Sequence, residues 1–127
     1  MSSEPTATSR DQPDTPERPL FVDSAAVFDD VQDVLGPTWH LPVVYHLLEN
    51  GPARFSTLKT EIDGISSKML SESLSNLEAL SIVHREVLTE QPVRVEYSLT
   101  ERGRALEGIV RRLLRWGMEP DPEQEPR

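Results

Sequence analysis

Apolar positions along this chain change their spacing several times, and each change marks an element. Val27, Val31, Val34 and Leu35 recur at helical spacing behind Asp23, an N-cap residue, and ahead of Gly36-Pro37, a stop. This predicts a first helix over 24–35. Thr38 is the expected cap of a second helix ending near Asn50-Gly51, with Pro42 in its first turn, where a missing N–H costs nothing. Its stripe is Leu41, Val44, Tyr45 and Leu48. A short third helix is expected over 56–62, then a tight turn at Asp63-Gly64. The fourth starts at Ser66 as N-cap, and Ile65 and Leu70 have the spacing of a hydrophobic staple. Leu70, Leu74 and Leu77 fall on one face, and Lys68, Ser71, Glu72 and Ser75 broadly on the other. Strict alternation over Val93, Val95, Tyr97 and Leu99 then marks the second of two strands, 83–88 and 93–99. The turn between them is Thr89-Glu90-Gln91-Pro92. Thr100 caps a last helix to about Trp116, with Leu106, Ile109, Val110, Leu113 and Leu114 as its stripe.

Helices followed by a hairpin and a closing helix make a mostly helical α+β fold, in the order of a winged helix-turn-helix with a two-stranded wing. In that arrangement one helix enters the major groove of DNA and presents its first residues to base edges. The role needs a leucine-anchored inner face and short polar residues outside, and the helix after Ser66 has both. Ser66, Ser67, Ser71 and Ser75 can donate to phosphate or pair with either base type. The N–H groups at Ser66 and Ser67 favour a phosphate. Lys68 can contact a phosphate or a guanine. Glu72 repels phosphate but accepts from cytosine N4. Arg54 and Ser56, at the start of the third helix, are placed for the phosphate backbone. Arg85 and Arg94 on the hairpin suit an adjacent minor groove. Each has a plainer reading: a serine-rich face is often only solvated, and Arg94 can pair with Glu86 or Glu96.

Composition complicates this picture. Of 127 residues, 13 are basic and 22 acidic, giving a net charge of −9. Lys59 and Lys68 are the only lysines. Acid-rich, lysine-poor composition keeps a protein hydrated at high salt and fits a halophile, here a halophilic archaeon. Residues 1–20 and 119–127 are rich in Pro and charge and poor in large apolar residues, and are expected to be disordered acidic tails around one domain over 21–118. With no cysteine there is no disulfide, thiolate zinc site or thiol switch. No apolar run approaches a membrane span and no signal peptide is visible, so the expected location is cytoplasmic. His40, His46 and His84 have no metal-ligand spacing, and His46 with Glu49 reads as a surface pair. No nucleophile–base arrangement or phosphate loop is present, so neither an enzyme nor a cofactor is expected.

Several stretches together resemble one family. They are Trp39, Gly51-Pro52-Ala53-Arg54-Phe55-Ser56-Thr57-Leu58, Ile65-Ser66-Ser67-Lys68-Met69-Leu70, Leu74-Ser75-Asn76-Leu77-Glu78, Pro92 to Gly103 and the closing Trp116. Over roughly 24–117 the chain is similar to the HxlR family, winged helix-turn-helix transcriptional regulators akin to the MarR group. The resemblance implies a homodimer on a near-palindromic operator in double-stranded DNA. It also implies that the first and last helices form the subunit interface, through Val27, Val31, Leu106, Val110, Leu113 and Trp116. Both terminal helices carry more apolar surface than a small core needs, the alternative being that they simply close the core of a monomer. Many members sense oxidants through a cysteine near the first helix, which this chain lacks. Ser73 and Ser75 stand where members often carry Arg or Gln, and Thr38 where many have Lys.

An alternative is a protein-interaction module that keeps the fold without specific DNA binding, since fold alone does not fix function. The sequence identifies no small-molecule effector. Phe28, Trp39, Tyr45 and Trp116 suit core packing better than a ligand cavity.

Overall fold

The computed structural model describes residues 23–124. The tail expected at 1–20 lies outside the described residues, as do residues 125–127 of the tail expected at 119–127, whose first part is described and includes a 3-10 turn at Pro122–Gln124. The described residues fall in two units divided between Asp33 and Val34, and the helix α1 (Ser24–Leu35) begins in the first and ends in the second. Asp23 caps α1 as expected: its Oδ1 accepts from the Ala25 N–H at 3.1 Å and lies 3.4 Å from the Ala26 nitrogen.

The second unit runs α2 (His40–Asn50), α3 (Phe55–Glu61), α4 (Ser67–Ala79), β1 (Val83–Glu90), β2 (Val93–Leu99), α5 (Glu101–Arg104) and α6 (Glu107–Met118), with a 3-10 turn at Pro122–Gln124. It is a mostly helical α+β winged helix-turn-helix. Its core gathers Val43, Val44 and Leu47 of α2, Leu58 of α3, Leu70, Leu74 and Leu77 of α4, Ile82, Val83 and Leu99 at the hairpin base, and Val110 of α6. Burial of each such side chain contributes about 1.5–3 kcal/mol.

Two helix starts differ from the sequence reading. Thr38 is not the cap of α2, because Pro37 to His40 forms a turn, with the His40 N–H on the Pro37 carbonyl at 3.2 Å, and Trp39 takes the cap position. Arg54 is the residue before α3, which places Ser56 inside its first turn.

The last helix also breaks in two. Thr100 is the expected cap, accepting from the Gly103 N–H at 3.0 Å, but α5 lasts one turn. The Arg104 guanidinium donates to the Leu99 carbonyl at 2.8 Å, and the Leu106 N–H closes a tight turn on Gly103 at 3.0 Å before α6 begins. Thr100 also directs its hydroxyl at the Ser81 carbonyl, 2.6 Å away, so the end of the hairpin is tied to its beginning.

His46 does not form a surface pair with Glu49. It is buried on α2, and its Nε2 donates to Glu61 of α3 at 3.1 Å. Glu49 instead meets Arg111 of α6 at 2.6 Å. Hydrogen bonds from Arg111 to Glu107 and to Glu49 raise the guanidinium above its ordinary range, so it stays charged. Tyr45 and Trp116 are exposed, not core residues; Trp39 packs against the core as expected.

Candidate nucleic-acid interface

α4 is built to hold an outer face still. Ser66 caps it, its Oγ accepting from the Met69 N–H at 3.0 Å. Ile65 before the cap and Leu70 inside the helix are both buried, which completes the staple. At the other end the Ile82 N–H reaches the Leu77 carbonyl at 2.9 Å and the Ser81 N–H the Glu78 carbonyl at 3.0 Å. That is a Schellman ending, with Leu77 and Ile82 supplying its apolar contact. Leu70, Leu74 and Leu77, at most 2% exposed, fix the inner face.

On the outer side Ser66, Ser67, Lys68, Ser71, Glu72 and Ser75 are all exposed. Met69, at 36% exposure, also reaches this surface. Sequence reasoning assigned it to neither face, because it sits at the border of the leucine stripe. Ser73 is buried among the leucines, so it contributes nothing outside. A serine there, rather than a long basic side chain, leaves the inner face close-packed.

Arg54 and Ser56 are exposed as well. Ala53 bridges to Tyr97 of β2, with paired N–H to carbonyl distances of 2.9 and 2.8 Å, so the start of α3 is held beside the wing. Arg54 shares an open cleft of about 270 Å³ with Thr57, Glu61 and Glu96, whose carboxylates offset part of its charge.

The wing pairs Val83 with Leu99, Arg85 with Tyr97, Glu86 with Glu96 and Val87 with Val95. The register shifts at Leu88, so that Thr89 opposes Arg94. Because side chains alternate along a strand, Arg85 shares a face with Val83, Tyr97 and Leu99, and Arg94 lies on the opposite face with Glu96 and Glu86. Both arginines are exposed, but they do not point the same way. Among the described residues, Arg54, Lys68, Arg85 and Arg94 form no ion pair, so the plainer reading of Arg94 as a partner of Glu86 or Glu96 is not seen.

The residues implied as a subunit interface divide. Val27 (44%), Val31 (48%), Leu113 (41%) and Trp116 (75%) are exposed. Val110 is fully buried in the core of this chain, which corrects its assignment to the interface, and Leu106 is partly buried against the same core. The apolar stripe of α6 is wide enough to serve the core along one edge and remain open along the other.

Comparison with known proteins agrees with this geometry. The model for HxlR-like helix-turn-helix proteins matches residues 34–125. The HTH-type transcriptional regulator YvaP of Bacillus subtilis is 40% identical over 92 residues, which span 72% of this chain and 84% of that protein. The HTH-type transcriptional regulator YodB of the same organism is 43% identical over 83 residues, 65% of this chain and 73% of that one. Among solved structures, the redox regulator HypR in its oxidised form superposes with a TM-score of 0.68 at 41% identity, covering 75% of this chain and 98% of that one. These relatives are transcriptional regulators, not enzymes. YvaP and YodB come from Bacillus, so the halophilic archaeal origin expected from composition has no support in them. With family model, relatives and winged architecture in agreement, this chain belongs to the HxlR family of helix-turn-helix transcriptional regulators.

Proposed function

We propose that the chain is a sequence-specific DNA-binding regulator that acts as a homodimer on a near-palindromic operator, without cysteine-based sensing. The observation that carries this is the outer face of α4: a capped, stapled helix keeps short hydroxyls and one lysine exposed while its leucines are sealed in the core. A recognition helix needs that division, because base-edge contacts demand a rigid frame and a close approach. No helix among the described residues is long and apolar enough to cross a membrane.

HypR is described as a redox regulator. A sequence without cysteine has no thiol to carry that chemistry, so any effector acts on this chain by another route.

The test is binding of the purified protein to its own promoter region and to an unrelated duplex, from low to molar potassium chloride. The expected result is preference for the promoter fragment. Arg54, Lys68, Arg85 and Arg94 supply four candidate phosphate contacts per subunit, so the slope of log K on log salt should be no steeper than about −7 for a dimer. Glu72 on the reading face and the cross-strand Glu86–Glu96 pair favour the second reading, a protein-interaction module. Equal, weak binding to all duplexes, with retention of a protein partner, would select it.

A further inference from the structure

We propose that Lys68 and Glu72 form a donor–acceptor pair that reads neighbouring G·C and C·G base pairs, making the operator half-site one that carries a guanine and a cytosine within two positions of each other. The proposal rests on α4 being the recognition helix, and it adds which bases that helix selects.

Four observations point this way. Lys68 and Glu72 are one turn apart on the same exposed face, in the half of α4 nearest the Ser66 cap. The polar residues around them, Ser67, Ser71 and Ser75, are short, so these two side chains project furthest toward a groove floor. Among the described residues they form no ion pair with each other or with any third group. Lysine preceding glutamate is also the weaker order for such a pair on a helix. Both charges are therefore available to a ligand.

The base chemistry then discriminates. An ammonium only donates, and guanine offers two adjacent acceptors, O6 and N7, in the major groove. A carboxylate only accepts. Guanine and thymine present acceptors at the corresponding edge and repel it, and adenine sets its N7 acceptor beside the N6 donor. Cytosine presents the N4 donor and no acceptor of its own on that edge, the nearest being O6 of its paired guanine. Glu72 would also lie among phosphates, so its presence is unfavourable unless an amino group meets it. It acts as much by rejecting three bases as by holding the fourth. One helical turn rises about 5.4 Å and successive bases about 3.4 Å, so the two side chains reach different but nearby pairs.

The experiment is selection from a pool of randomised duplexes with the full chain and its Glu72→Gln and Lys68→Ala variants, each checked for unchanged helix content by circular dichroism. The full chain should select sites with a C and a G within two positions. Glu72→Gln should move the cytosine position toward adenine, which glutamine pairs through N6 and N7, changing the relative affinity of matched C and A probes by on the order of 10-fold. Lys68→Ala should relax the guanine position alone. As a check independent of any variant, replacing that cytosine by thymine in the selected site should weaken wild-type binding by about 10-fold or more. A clear wild-type consensus that neither substitution alters, and that tolerates the thymine, overturns the proposal and leaves the DNA-binding reading intact. No consensus at any salt overturns both.

Discussion

A methyl group at position 103 has nowhere to go. A Cβ built on Gly103 collides with the Ile82 carbonyl oxygen and presses on the Leu99 and Ile82 side chains, so α5 crosses the base of the hairpin only because this residue has no side chain. A backbone carbonyl in a tied turn does not yield as a flexible side chain would. Gly103→Ala should therefore destabilise the fold by about 1–3 kcal/mol, the usual range for overpacking, measured by urea unfolding. A change within experimental error would show that the turn shifts freely. Ser81 is the opposite case. It ends α4 with φ at 64°, a left-handed conformation that suits glycine and costs other residues about 1–2 kcal/mol. Ser81→Gly should raise stability by up to about 1 kcal/mol with α4 unchanged, and a loss would mean the serine side chain makes a contact worth more than the strain. Sequence reading reached neither site in these terms. The Gly103 constraint comes from a strand start some twenty positions earlier, and a serine carries no local sign of a left-handed turn. The Ser66 cap and the Ile65–Leu70 staple were legible because both partners lie within one turn of each other.

Within elements, legibility followed the amount of local signal. Strict alternation gives the second strand its bounds, and three leucines spaced over about two turns give α4 its inner face. From its sequence the final helix reads as continuous, because its apolar period runs on through Ala105 and Leu106, while the packing of Gly103 against Ile82 that breaks it is tertiary. His46 was read as a surface residue because its partner, Glu61, sits on another helix. The wing shows the same limit: a sequence lists Arg85 and Arg94, but only the bulge and register place them on opposite faces. The two faces of α4 can be separated by substitution. Leu74, 2% exposed, should cost about 2–5 kcal/mol on conversion to alanine. Lys68→Ala should leave the unfolding midpoint nearly unchanged and weaken binding to the promoter fragment. If Lys68→Ala lost stability as Leu74→Ala does, or left affinity untouched on every duplex, α4 would not be a recognition helix.

At the scale of the molecule, the question is what covers the apolar surface that the terminal helices leave open. On α6, Ile109 (50%), Leu113 (41%) and Trp116 (75%) are exposed beside Arg112 and Arg115. On α1, Val27, Phe28 and Val31 are exposed beside Asp29, Asp30 and Asp33. Each helix thus offers an apolar strip with a charged margin, and the margins have opposite signs. In the proposed homodimer a second copy supplies a matching apolar strip for each helix, and opposite-sign margins favour pairing of that kind. A symmetric operator also requires a two-fold protein, since each half-site is read by one subunit. Leu113→Asp places a charge in the middle of the exposed α6 strip, beside the edge that Val110 buries in the core. By analytical ultracentrifugation the wild type should sediment as a dimer at micromolar concentration and the variant as a monomer with unchanged helix content by circular dichroism, its unfolding midpoint no longer dependent on concentration. On a two-half-site duplex the variant should lose affinity steeply, while its weak binding to an isolated half-site should match wild type. A variant that remained dimeric would move the interface off α6. A wild type that was monomeric at these concentrations and still bound the full site tightly would remove the dimer from the mechanism.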